Sequence, residues 1–204
     1  MPIMSASAGF TRYRLVDETT DQLLREAPER LKRNAFSDID HTADDLAMGW
    51  VSFENMLDPS WREAPPEKGE FMAFGFRVDT RKVPGAVARK HYQIALEAEL
   101  ARARDEGRKG VSRDRKLEIK EQVMLKLRAR TLAVPAVFDV VWSTTSGVVY
   151  LTSTSQKVRD MFEDHFTLTF DLHLEPLTPY VLALGRMGEG GSASLDEVEP
   201  AVFI

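Results

Sequence analysis

Apolar and polar residues alternate loosely from Phe10 to Val16, with Phe10, Tyr13 and Leu15 set among Thr11, Arg12 and Arg14, and this pattern predicts a first strand. Thr19 or Thr20 then offers an N-cap to a helix reaching about Arg33, because Leu23, Leu24, Ala27 and Leu31 recur at helical spacing. Pro28 is placed to kink or shorten that helix. The segments "LAMGWVSF" (46–53) and "FMAFGFRVD" (71–79) predict two more strands, joined by the Pro-rich surface loop "NMLDPSWREAPPEKGE". The first half therefore reads β-α-β-β.

Pro84 suits a first helical turn, and Val87, His91, Ile94, Ala98 and Ala101 follow it on one face of a helix ending near Gly107. On that face His91 is expected to be a partly buried, hydrogen-bonded residue. Gly107 and Gly110 form a joint, and Ser112 is an N-cap for a second helix with Asp114 in its first turn and Ile119, Val123 and Leu127 on its buried side. After Pro135, "AVFDVVW" and "GVVYL" predict strands around the turn "STTSG"; "TSQKVRDMFEDHF" predicts a short amphipathic helix capped by Ser153, Thr154 or Ser155. A last strand is expected around Thr167 to Leu174. The fold class is α+β, with two β-α-β-β-like subdomains of mixed or antiparallel sheet linked by a long helical segment. The corresponding divisions are 1–80, a basic helical segment 81–134, a second subdomain 135–184, and a flexible, Gly-rich acidic tail 185–204.

Charge changes this picture more than composition does. The 204 residues carry a formal net charge of −5, yet residues 81–130 hold fifteen Lys or Arg against seven Asp or Glu, a net +8, which leaves −13 on the rest. Binding to a polyanion depends on the field of one surface, and net charge does not report that field. Around the predicted interhelical joint lie Arg108, Lys109, Arg113, Arg115, Lys116 and Lys120, with Arg81, Lys82, Arg89 and Lys90 upstream, and few acids adjoin them in sequence. Such a surface attracts phosphates, with affinity that falls steeply with salt and ignores base sequence. The plain alternative is a pair of solvated helices whose charges pair at i,i+4.

Candidate chemistry is sparse. The chain has no Cys, which excludes disulfides, thiolate catalysis and Cys-based zinc sites and fits a reducing cytoplasm. The opening "MPIMSASAGFTRYRL" has no apolar run long enough for a signal segment, and no window approaches a membrane span. Asp38, Asp40, His41, Asp44 and Asp45 could ligate a divalent cation through oxygen, but an EF-hand count from Asp38 places Ala43 and Gly49 where Gly and Glu are needed, so a solvated acidic loop is the expectation. Asp160, Glu163, Asp164 and His165 are read as one exposed helical face opposite Met161, Phe162 and Phe166. The four His and the scattered Ser form no nucleophile elbow, zinc motif or phosphate loop. No catalytic residue, metal ligand or cofactor is assigned. Trp50, Trp61 and Trp142 read as core or dimer-interface residues and not as base-stacking platforms.

Several stretches together resemble the bacterial recombination-associated protein RdgC family: "YRL" (13–15), "MGWV" (48–51), the helical region "ALEAELARARDEGRKGVSRDRKLEIKEQVMLKLRAR", "VVWSTTSGVVYLTSTSQK" (140–157) and "FDLHLEPLTP" (170–179). Each is short and non-catalytic; their order and spacing over residues 10–179 carry the resemblance. It implies a non-enzymatic, cytoplasmic or nucleoid-associated protein that binds double-stranded and single-stranded DNA without sequence preference. It also implies a ring-shaped homodimer with a positively lined hole, and restraint of RecA-promoted recombination. Longer members continue for about another hundred residues, a typical further domain, whereas this sequence reaches Ile204, so DNA binding is implied more directly than encirclement. Two other functions fit the residues. One is a protein-interaction module docking a recombination protein or another acidic partner through the basic helices, and the other is a metal-dependent hydrolase using Asp38 to Asp45.

Overall fold

A computed structural model of the chain describes residues 3, 5–188 and 191–199. Its strands are β1 (Thr11–Leu15), β2 (Leu46–Ser52), β3 (Glu67–Lys68), β4 (Phe71–Thr80), β5 (Val134–Ser143), β6 (Val148–Leu151) and β7 (Leu174–Pro176). Its helices are α1 (Asp21–Arg33), α2 (Gly85–Asp105), α3 (Arg113–Arg128), α4 (Gln156–Phe170), α5 (Pro179–Met187) and α6 (Gly191–Asp196). The protein is α+β, and its strands join one seven-stranded sheet, ordered β2-β4-β5-β6-β1-β7, with β3 paired to β4. Two separate sheets were expected. The difference arises because β6 pairs antiparallel with both β5 and β1, which ties the chain's two halves into one ladder.

The chain forms two compact units, each discontinuous in sequence: 1–35 with 49–76 and 137–204, and 36–48 with 77–136. This partition differs from the consecutive divisions 1–80, 81–134, 135–184 and 185–204, because β2, β4 and β5 each run from one unit into the other.

In the first unit, period-2 alternation and helical period meet on one aromatic core. Thr20 accepts a hydrogen bond from the Leu23 amide at 3.2 Å and starts α1, which runs through Pro28 and buries Leu23, Ala27 and Leu31. Register places Tyr13 opposite Val149 and Val149 opposite Trp142, a cross-strand row of fully buried residues. Phe162, Phe166 and Phe170 recur at i, i+4, i+8 on α4 and face Tyr13, Trp50, Phe74, Phe76 and Trp142 at ring separations of 5.3 to 6.3 Å. The same periodicity continues α4 to Phe170, where a strand from Thr167 was expected. Asp171 then ends the helix in the left-handed region (φ 59°), and the strand begins only at Leu174. Gly75 is required where β4 is closely flanked, since a Cβ there would lie 2.9 Å from Val51 Cγ2 and 3.2 Å from Val137 Cγ1. All three tryptophans are buried, as expected. Part of the expected tail is helical, as α5 and α6, and residues 189, 190 and 200–204 lie outside the described residues.

In the second unit, α2 and α3 pack against each other as an antiparallel hairpin, about 31 and 24 Å long at 1.5 Å per residue. Ile119, Val123 and Leu127 are buried or half-buried on α3, as expected. On α2 the packing face is Tyr92, Ala95, Leu96, Glu99 and Ala103; Val87, His91, Ile94, Ala98 and Ala101 are exposed. The "ALEAELA" run is apolar nearly all round, so its periodicity does not single out one face.

Candidate nucleic-acid interface

The hairpin is set by local chemistry at both sides of its turn. Gly107 takes φ 70°, the Arg108 amide bonds the Ala103 carbonyl at 2.7 Å, and the Gly107 amide bonds the Arg104 carbonyl at 3.0 Å. This is a complete Schellman termination, which only a residue tolerant of left-handed backbone completes without strain. Ser112 accepts from the Arg115 amide at 3.2 Å and opens α3. Between these two stops the chain carries Arg108 and Lys109. The first turns of α3 carry Arg113, Arg115 and Lys116.

The ten basic residues singled out by sequence fall into three groups. Lys82, Arg89, Lys90, Lys109, Arg113, Lys116 and Lys120 are exposed, and among the described residues none forms an ion pair. Arg113, Lys116 and Lys120, spaced i, i+3, i+7, share one side of α3.

The second group is neutralised from within the hairpin. Glu99, 8% exposed, accepts from Arg115 Nη2 at 3.2 Å and lies 3.6 Å from Arg108 Nη2 and 3.7 Å from Arg102 Nη1. Arg108 also pairs with Glu106 at 2.6 Å, and Arg115 with Glu118 at 2.8 Å. The Arg115 hydrogen bond, with the positive charges of Arg115, Arg102 and Arg108, holds the Glu99 carboxyl below the usual range against its own burial. Arg108 and Arg115 are thus neutralised within the hairpin, both by a residue eight positions before Gly107, while Lys109, Arg113 and Lys116 beside them are not.

Arg81 stands alone in the third group, and its expected phosphate contact is corrected. It is 5% exposed, and its guanidinium donates to the carbonyls of Ile39 (2.8 Å), Thr42 (2.6 Å) and Asp44 (3.0 Å). The acidic loop 38–45 is therefore folded around a cation from its own chain. Asp45 pairs with Arg128 at 2.8 Å, and Arg77, stacked 4.1 Å over the Phe36 ring, pairs bidentately with Asp79 at 2.7 and 2.8 Å. Among the described residues no group of three or more His, Asp or Glu is placed to hold a metal ion.

The four histidines do not converge. His41 and His91 are exposed, and His173 contacts Asp17 at 3.0 Å. His165, read from sequence with Asp160, Glu163 and Asp164 as one exposed face, turns inward: its ring lies 4.8 Å from Trp50 and 5.7 Å from Phe76, and Nε2 contacts the Asn34 carbonyl at 3.2 Å, while Glu163 is half-buried and Asp160 and Asp164 are exposed. Burial pushes its pKa down, only partly offset by that hydrogen bond.

Sequence reasoning passed over Glu99 and Tyr92, both on the packing face of α2. The signal for Glu99 was its place four residues before Ala103 and after Ala95, a carboxylate within a small-residue ladder facing a basic helix. Among the described residues no helix is long and apolar enough to cross a membrane. No curated protein matches the chain. A family model described as "Putative exonuclease, RdgC" matches residues 10–183. With most of its length so matched, the chain belongs to the RdgC family of recombination-associated proteins.

Proposed function

We propose that the protein binds DNA through phosphates by way of the α2–α3 hairpin, without sequence preference and without catalysis, and that in this way it restrains RecA-type strand exchange. The observation that carries this reading is the set of seven exposed cations without ion-pair partners among the described residues, six of them on that hairpin and Lys82 just ahead of it, in a net-acidic chain. Membership of a recombination-associated family supports it. Backbone phosphates offer charge without sequence information, which suits flexible Lys and Arg carried on a helical surface. Double-stranded and single-stranded DNA are both within its scope, as is action as a homodimer associated with the nucleoid.

The test is fluorescence-anisotropy binding to two unrelated duplexes of equal length at several salt concentrations. Equal affinities are expected, with log K falling by about 0.9 per contacted phosphate for each unit of log salt. Unequal affinities, or binding indifferent to salt, would overturn the reading. The family's description as an exonuclease favours a second reading, exonucleolytic cleavage. Cleavage of end-labelled DNA by the full chain with Mg²⁺ or Mn²⁺ would establish it, and intact substrate after extended incubation would retire it.

A further inference from the structure

Seen from the turn, one side of the hairpin is not a plain charged surface. A groove of about 430 Å³ runs between α2 and α3, with Ala88, Val123 and Met124 as its apolar lining, Tyr92 beside them, and Arg89 and Lys120 at its polar edge. Gly85 lines it too, and a Cβ at that position would meet only open space. The volume lies in the range of roughly 300–1,000 Å³ typical of small-molecule sites. Both cations are exposed and without ion pairs among the described residues, so the groove has uncompensated positive charge beside an apolar floor.

Tyr92 is the unusual member. Tyr13 meets the Phe162 ring, Tyr150 meets Phe10, and the Tyr180 hydroxyl bonds Asp196. Among the described residues Tyr92 has neither a ring partner nor a hydrogen bond, and it is half-buried in the groove. An aromatic ring left unpaired, with cations on its flank, has the composition of a stacking platform for single-stranded nucleic acid.

We propose that this groove seats one unpaired nucleobase, with Tyr92 as the stacking face and Arg89 and Lys120 holding the flanking phosphates. The inference rests on the phosphate-binding reading and adds to it a preference: bases within a duplex are stacked on one another and do not reach Tyr92, whereas those of a single strand do.

The experiment compares four ligands on the full chain: oligothymidylate, an abasic oligonucleotide of equal length, a duplex, and thymidine monophosphate. Tyr92→Ala is expected to weaken oligothymidylate binding by about ten-fold while changing abasic and duplex affinity by less than about two-fold, and Tyr92→Phe to restore it. Lys120→Gln is expected to weaken all three polymers. In Tyr92→Trp, oligothymidylate is expected to quench the added emission and the abasic strand to leave it unchanged. Equal loss of all polymers in Tyr92→Ala, or none, overturns the seat. Quenching by the monophosphate alone overturns it in favour of a free nucleotide. Binding of duplex and abasic strands without any quenching leaves the phosphate reading standing and removes the base seat; quenching by oligothymidylate with no duplex or abasic binding does the reverse.

Discussion

His165 shows how a single ring can make stability depend on acidity. Packed against Trp50 and Phe76 with the Asn34 carbonyl as its polar contact, it sits below its ordinary pKa of 6.5, so the unfolded chain binds this proton more readily than the folded one. Its contribution is fully present above 6.5 and is lost as pH falls through the lower folded value. Urea midpoints measured at pH 7.5 and pH 5 should drop more in the wild type than in His165→Phe; equal drops would show that the ring titrates without coupling to the core. The burial of His165 is masked in the sequence by the acids that surround it, although its spacing of three from Phe162 sets it near the buried side of α4. Arg81 is masked for a related reason. A charge is visible in a sequence, but its three carbonyl acceptors come from residues about forty positions earlier, and no local pattern announces them.

At the scale of elements, the hairpin turn is held at three points: the Schellman bonds to Ala103 and Arg104, the Ser112 cap, and Glu99 beneath both Arg108 and Arg115. Glu99 competes directly with any phosphate for those two guanidinium groups. Glu99→Gln is therefore expected to raise duplex affinity several-fold at low salt and to steepen its salt dependence, by up to about 0.9 for each arginine that gains a phosphate. Lower affinity at unchanged helix content would show that Glu99 positions these arginines for binding. The element boundaries legible in sequence are decided within one turn of chain: Thr20 and Ser112 cap their helices through their side chains, and Pro84 marks the start of α2 by its fixed φ. The illegible ones are decided by packing. Thr167 and Thr169 suggest a strand through their branching, yet they continue α4 because Phe166 and Phe170 are both fully buried. The buried face of α2 is likewise set by α3 and not by α2's own pattern.

For the whole molecule, a chain of net −5 gathers a net +8 within residues 81–130, and a phosphate-based complex should depend chiefly on that segment. Arg113→Glu with Lys116→Glu is expected to weaken two unrelated duplexes alike, by ten-fold or more at low salt, and to lower the salt slope by about 0.9 for each phosphate no longer neutralised. Discrimination between the duplexes in the variant would point to base readout instead. The charge asymmetry is legible because it is a sum over residues, and the α+β class because hydrophobic period distinguishes strand from helix. The single sheet is not, since its order depends on pairings such as Tyr13 with Val149, which lie far apart in the chain. That sheet order has one more consequence. β4 ends at Thr80, β5 begins at Val134, and the two are neighbours in the sheet, so the whole basic hairpin is inserted between adjacent strands. Lengthening such an excursion adds little closure entropy. An insertion or deletion between Gly107 and Ser112 can therefore change the hairpin's reach at little cost to the aromatic interior.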